Sequence, residues 1–524
     1  MQRQQPRALV ALLAFLTLGM MGGCGSGDDD NDSQTPEATQ PSTPAPQRGD
    51  LLQSPPAKLS SYSSSQLLAA LATNDIGEAL LDLALSPKCG VDVYQLRYQT
   101  VGGKAETAPA SGALMIPTGT DATCQGARPL LLYAHGTSPS KTFNIADLSN
   151  SDNGEGIAIA TLFAAQGYIV IAPNYAGYDS SSLTYHPYLN ADQQSKDMID
   201  ALVAARSALP LAGTPSTTDS GKLFVTGYSQ GGFVAMATHR ALQAQGSIVT
   251  ASAPLSGPYA LSAFGDAIFQ GQVSMASDVN LVLLIGSYQQ AYGNLYSATT
   301  DVFEAKYATG IATLLPSTTP LGDLVSQGKL PAGVAFNSTP PAPEFASFTP
   351  ATSPAEFAPL FAKGFGTEPL ITNAYRLGYL RDAQTAPDGG FPTVTDGLPP
   401  ANPAQALRIA LKANDLRTWT PNVPVLLCAG AHDPTVFYLN TQLMQTYWTS
   451  HPPAAAPTVV DIDSAGDPYS DLRTSFQVAK DGVRTAAVLG GATDGGDEAV
   501  QEAYHAGLVA PFCLSAAKRF FDGK

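Results

Sequence analysis

The sequence predicts an α/β fold: a mostly parallel sheet with helices on both faces and a large, mainly helical cap insertion. Three observations carry that reading. Short apolar runs alternate with longer helix-like stretches, the rhythm of strands joined by covering helices. A Gly-x-Ser-x-Gly run, Gly227-Tyr228-Ser229-Gln230-Gly231, sits where one such strand passes into a helix. The rhythm stops after Pro258 and resumes at Val423.

Along the chain, Arg3 and Arg7 precede an apolar stretch over residues 8–21, an export signal too short to span a bilayer as a stable anchor. Met21-Gly22-Gly23-Cys24 then resembles the lipobox of bacterial lipoproteins, with Met21 where leucine is usual. Lipidation at Cys24 is one expectation and ordinary signal cleavage the other, so the protein is exported, either lipid-anchored in a bacterial envelope or secreted. Residues 25–56 are Asp, Ser, Thr, Pro and Gln with almost no aliphatics, and such a stretch reads as a disordered tether. Asp28 to Asp30 argue against this tether lying on an anionic lipid surface.

The remainder divides into a first core part (57–260), an insertion (261–415) and a second core part (416–524). Expected strands are 130–134, 168–172, 223–226, 251–255, 423–428 and 458–462. Helical stretches are expected at 193–209, with Met198, Ile199, Leu202 and Val203 on one face, and at 233–245. In the insertion, Phe264, Phe269, Leu281 to Ile285, Tyr288 and Tyr292 recur at helical spacing, and a loop rich in Pro, Ser and Thr follows near 314–354. The insertion is expected to cap the site, the alternative being a side domain away from it.

Net charge is −16 with 27 basic residues and no Lys/Arg cluster, which excludes nucleic acid as a partner. Membrane contact is expected only through an anchor at Cys24. Setting Cys24 aside leaves four cysteines in an exported chain, expected as disulfides Cys89–Cys124 and Cys428–Cys513. For Cys428 an unpaired core thiol is the alternative. No Cys/His spacing suggests zinc.

A glycine two residues either side of Ser229 lets strand turn sharply into helix and lifts the hydroxyl above the sheet. That hydroxyl needs a base, and the base needs an orienting acid. Asp433 follows the apolar run ending at Cys428, at a strand's C-terminal end, where open α/β sheets gather functional groups. Its alternative role is an Asx-turn before Pro434. His505, read as lying on a loop before a closing helix 511–521, is the expected base. His451 is its rival; His432, His239 and His135 are read as structural. Backbone amides of Gln230 and Thr137 are the expected oxyanion donors, the latter from His135-Gly136-Thr137 after the first parallel strand.

Together these residues resemble the α/β-hydrolase superfamily, in particular the secreted lipase/esterase group related to the secretory lipases. The resemblance takes in Ala172-Pro173-Asn174-Tyr175-Ala176-Gly177-Tyr178, His186-Pro187-Tyr188-Leu189, and Ala413-Asn414-Asp415-Leu416 with Trp419. It covers residues 89–261 and 411–521. One departure is Asn174, where many relatives carry aspartate. The resemblance implies Ser229 as nucleophile, Asp433 as acid, His505 as base, and Thr137 and Gln230 as oxyanion donors. It implies a carboxylic ester hydrolase acting on a small-molecule or lipid ester through an acyl-enzyme, without metal or organic cofactor. The alternatives are a secreted serine peptidase on the same fold and a non-catalytic, hydrolase-like binding protein.

Overall fold

The computed structural model describes residues 45–524 except 73–79, 82, 84–86, 151–152 and 214–215. The expected signal segment, Cys24 and the tether up to residue 44 lie outside those residues. Nine strands form the main sheet: β1 (Ala57–Tyr62), β2 (Gly90–Val101), β3 (Thr107–Thr118), β4 (Gly126–Ala134), β5 (Ile169–Pro173), β6 (Thr217–Tyr228), β7 (Ala251–Leu255), β10 (Leu426–Ala429) and β11 (Thr458–Asp461). Two-residue strands β8 (Phe336–Asn337) and β9 (Phe365–Gly366) pair with each other inside the insertion. The main sheet runs in the order β1-β2-β3-β5-β4-β6-β7-β10-β11. β1 to β3 and the β3–β5 pair are antiparallel, and every pairing from β5 to β11 is parallel.

The apolar runs form strands because both sheet faces are covered. Along β4, Leu130, Leu132 and Ala134 face one core with the helices Ala191–Ala208 and Gln230–Ala244. Leu131 and Tyr133 face the other core with the helices Gly154–Leu162 and Ala510–Asp522. Alternation along one strand thus feeds two apolar layers.

The structure departs from the sequence reading in several places. Strands β1, β2 and β3 were not expected. The strand expected at 423–428 is Leu426–Ala429, since Pro424 lacks an N–H and Val425 makes only an isolated bridge to Ser252. β6 begins at Thr217 because residues 217–219 pair with the first residues of β4. Val203 faces out of the core and is 47% exposed. The end of the expected tether is not free. Gly49 N–H donates to the Gln99 carbonyl at 2.8 Å, Leu52 N–H donates to that of Arg97 at 2.8 Å, and Arg48 pairs with Asp200 at 2.9 Å. Backbone pairing along β2 orders a segment whose side chains offer little to bury.

The insertion is helical, with Leu261–Phe269, Ser277–Tyr292, Asn373–Thr385 and Ala406–Asn414 as its main helices. Both expected disulfides are present, Cys89–Cys124 and Cys428–Cys513. The second joins β10 to the closing helix across a separation of 85 residues. A cross-link of that span constrains the unfolded chain by roughly 4.5 kcal/mol. Replacing Cys428 and Cys513 together by serine is expected to lower unfolding free energy by about that amount. Urea denaturation monitored by circular dichroism checks it.

Candidate active site

β6 passes into the helix Gln230–Ala244 through Ser229, whose backbone stands at φ 59, ψ −123. That conformation costs a non-glycine residue about 1–3 kcal/mol and persists only where the surroundings enforce it. The neighbouring glycines supply the enforcement. A Cβ on Gly231 would lie 2.0 Å from the Ala134 carbonyl oxygen, one on Gly227 2.4 Å from the same atom, and one on Gly232 2.2 Å from that of Leu255. Ser229 N–H donates to the Leu255 carbonyl at 3.0 Å, tying the turn to β7.

Asp433 lies just beyond β10 and is buried. Its Oδ1 accepts the backbone N–H groups of Thr435 at 2.9 Å and Val436 at 3.0 Å, so the Asx-turn alternative is also realised. Its Oδ2 faces His505 Nδ1 at 2.6 Å and accepts from Ser256 Oγ at 2.9 Å. One carboxylate therefore caps its own loop with one oxygen and holds an imidazole with the other. His505 is not on a loop. It stands in a wide helical turn, Tyr504–Val509, continuous with Asp497–Ala503 and the closing helix. Its Nε2 is buried without a hydrogen-bond partner among the described residues. Tyr228, next to Ser229, donates its hydroxyl to the His505 carbonyl at 2.5 Å, and the two rings lie 4.9 Å apart. Burial and the nearby Asp433 carboxylate hold the Tyr228 phenol well above its usual range, so it is a neutral donor.

Ser229, His505, Thr137 and Gln230 line one cavity of about 370 Å³. Its remaining wall is mostly apolar and is shared between the core and the insertion, which supplies Leu261, Phe264, Ile268, Leu281, Leu407 and Leu411. Gly136 N–H is taken by Glu155, whereas the Thr137 and Gln230 N–H groups meet no acceptor among the described residues. The Gln230 side chain is fixed from behind by His186, which lies buried with its Nε2 2.7 Å from Gln230 Nε2. Burial pushes the His186 pKa down to about 3, so its Nε2 accepts while Nδ1–H donates to the Ala176 carbonyl at 2.9 Å.

The other histidines are accounted for by packing. His451 is exposed at a helix end and stacks on Tyr447. His432 turns away from Asp433 to Asp463, at 2.9 Å. His239 is buried against Ser252 Oγ at 2.8 Å. His135 is packed between Phe143 and Tyr175, and burial lowers its pKa to about 4. Asn174 fills its place as an amide, donating to Ser111 Oγ at 2.9 Å and accepting from Ile145 N–H at 2.8 Å. Ser256, Tyr228, His186 and Glu155 were given no role in the sequence. Tyr228 and His186 lay within motifs quoted there and Ser256 at the C-terminal end of a strand, whereas Glu155 had no signal.

The Prolyl oligopeptidase family matches residues 157–264, the part that contains the elbow. Among solved structures, the rice cell wall degrading esterase LipA from Xanthomonas oryzae is 29% identical, with a TM-score of 0.60 over 79% of this chain and 91% of that one. A putative hydrolase from Legionella pneumophila shares the fold at 19% identity and a TM-score of 0.59, over 89% of this chain and 96% of that one. No curated protein matches the chain. Sheet, elbow and neighbours agree on the α/β-hydrolase fold.

Gly231→Ala is expected to cost several kcal/mol, roughly 2–4 by the scale of overpacked cores, because the backbone oxygen it meets cannot move away. Thermal unfolding measures the loss. Turnover should fall further than stability alone explains, since the elbow itself must shift.

Proposed function

We propose that this member of the α/β-hydrolase superfamily is a serine carboxylic ester hydrolase, with Ser229 as nucleophile, His505 as base and Asp433 as the acid that orients it. The observation that carries the reading is the 2.6 Å Asp433–His505 pair, its other ring nitrogen unpartnered, in the same cavity as a serine on a φ 59 elbow. His505 removes the Ser229 proton as the oxygen attacks the ester carbonyl, and Asp433 favours the imidazolium that results. The tetrahedral oxyanion accepts the Thr137 and Gln230 amides. His505 then protonates the leaving alcohol, and water, deprotonated by the same imidazole, releases the acid from Ser229.

The substrate is an ester with an apolar acyl group. The apolar cavity wall supports the apolar acyl group, and the esterase named among the structural neighbours supports the ester bond. A peptidase reading draws on the Prolyl oligopeptidase match, but that match stops at residue 264 and omits most of the apolar wall. The two disulfides support an oxidising compartment outside the cytoplasm. With Cys24 lipidated, the enzyme would act from an envelope anchor.

Ser229→Ala is expected to abolish both p-nitrophenyl ester turnover and fluorophosphonate labelling; retained turnover would overturn the assignment. His505→Ala should lower kcat by roughly 10⁴-fold or more with the fold intact, whereas His451→Ala should change it less than about twofold. In a graded acyl series, Leu411→Trp should depress kcat/KM for the longer chains while sparing acetyl ester, because the added ring occupies the apolar wall. Peptide p-nitroanilides should be cleaved far more slowly than the esters.

A further inference from the structure

Glu155 is a half-buried carboxyl at the wall of the cavity, and no step above uses it. It stands in the first turn of the helix Gly154–Leu162 and takes no cation among the described residues. Both of its oxygens lie 3.1 Å from Gly136 N, and Oε1 also accepts the Tyr133 hydroxyl from the end of β4. Gly136 is the residue before Thr137. A Cβ built on it would stand 3.6 Å from Glu155 Oε2 and 3.9 Å from Ser229 Cβ, so this peptide fills the space between carboxylate and nucleophile.

We propose that Glu155 is a positioning residue for the oxyanion loop: its carboxylate clamps the Gly136 N–H from behind and thereby aims the Thr137 N–H at the carbonyl attacked by Ser229. The inference rests on the ester-hydrolase reading only in taking Thr137 as a donor. A backbone N–H bonded away from the cavity at one residue fixes the peptide plane that leads into the next, because only two soft dihedrals separate them. Without the clamp, the N-terminal side of the glycine at 136 loses its only hydrogen bond among the described residues, and the loop is held by His135 Nδ1, 2.7 Å from the Gly136 carbonyl, and by Tyr188, whose hydroxyl lies 3.0 Å from Thr137 Oγ1.

The charge state of Glu155 gives the test a second axis. Facing it are phenols from three elements, Tyr133 on β4, Tyr175 after β5 and Tyr228 on β6, all held well above their usual range by burial first and by carboxylates including Glu155. His135, within the loop, has its pKa lowered to about 4 by burial, and Asp433 with His505 lies beyond Tyr228. Burial pushes the Glu155 pKa up to about 7. Ionised, it accepts the Gly136 N–H with a full charge; protonated, it accepts more weakly. The clamp therefore tightens as pH rises through neutrality.

The experiment compares wild type, Glu155→Gln and Glu155→Ala on one p-nitrophenyl ester from pH 5.5 to 8.5, with inhibition by a trifluoromethyl ketone, which places an oxyanion in the same hole. Glu155→Ala is expected to lose roughly 10- to 100-fold in kcat with KM within about threefold, and to lose ketone affinity in parallel. Glu155→Gln should lie close to wild type at pH 5.5, and the wild-type:variant kcat ratio should grow through about pH 7. A Glu155→Ala enzyme with kcat within twofold of wild type would overturn the proposal. So would a loss of kcat with ketone affinity unchanged, or a ratio that falls with pH, which would mean that carboxylate–oxyanion repulsion outweighs the clamp. If Glu155→Ala fails to fold, the Glu155→Gln profile decides alone. Full turnover by Ser229→Ala would instead sink the ester-hydrolase reading, which separates the two failures.

Discussion

The close approach of the elbow to β4 and β7 is the constraint on which the site depends. Ser229 keeps a costly backbone conformation because Gly227, Gly231 and Gly232 let the turn sink against carbonyl oxygens of Ala134 and Leu255. Any side chain there would push the helix Gln230–Ala244 off the sheet. The same contact sets the distance from the elbow to the oxyanion loop, because Ala134 is the last residue of β4 and His135-Gly136-Thr137 follows directly. Strand pairing between β4 and β6 thus spaces Ser229 from the start of this loop, and the loop conformation beyond Ala134 sets where Thr137 stands.

The wall opposite is fixed by buried charge. The helix Leu261–Phe269 turns Phe264 and Ile268 into the cavity and Asp266 away from it, where Arg408 holds Asp266 at 2.8 Å. Arg408 belongs to the helix that supplies Leu407 and Leu411. The first helix is also held at both ends. Ser262 N–H donates to Asp415, itself paired with Arg417, and Arg376 donates to the Phe269 carbonyl. Such pairs add little net stability over apolar packing, but losing one partner strands a charge at a cost of about 3–5 kcal/mol. They therefore specify one arrangement of the apolar wall, and movement of this helix away from the helix Ala406–Asn414 is disfavoured.

What could be read from the sequence follows from how each feature is encoded. The parallel strands declare themselves as continuous apolar runs because both their faces are buried, and 251–255 coincides with β7. β2 carries a weaker signal, with Val91 and Val93 on one face and Tyr94, Leu96 and Tyr98 on the other, and a search for apolar runs passes over it. Ser229, Asp433 and His505 could be picked out by chain order and by strand ends. The setting of His505 could not, since a wide turn inside a helix leaves no local mark. Ser256 and Glu155 reach their partners across 177 and at most 22 residues of chain, through the register of neighbouring strands and the entry angle of a helix. Nothing local records those distances.

Under the proposed triad, Asp433 shows why the acid must sit where it does. An orienting carboxylate has to be ionised although it is buried, and isolated burial would favour its neutral form. Two backbone N–H groups of its own loop and the Ser256 hydroxyl offset that cost before the imidazole is counted. Those donors belong to the fold, so the oxygen that faces His505 Nδ1 is held in place by groups other than the imidazole. Glu155 is the contrasting case, a carboxyl near the same serine with one backbone donor and one phenol, and its ionisation is pushed up into the neutral range. Asp433 thus collects three donors from the fold besides the imidazole, and Glu155 collects two.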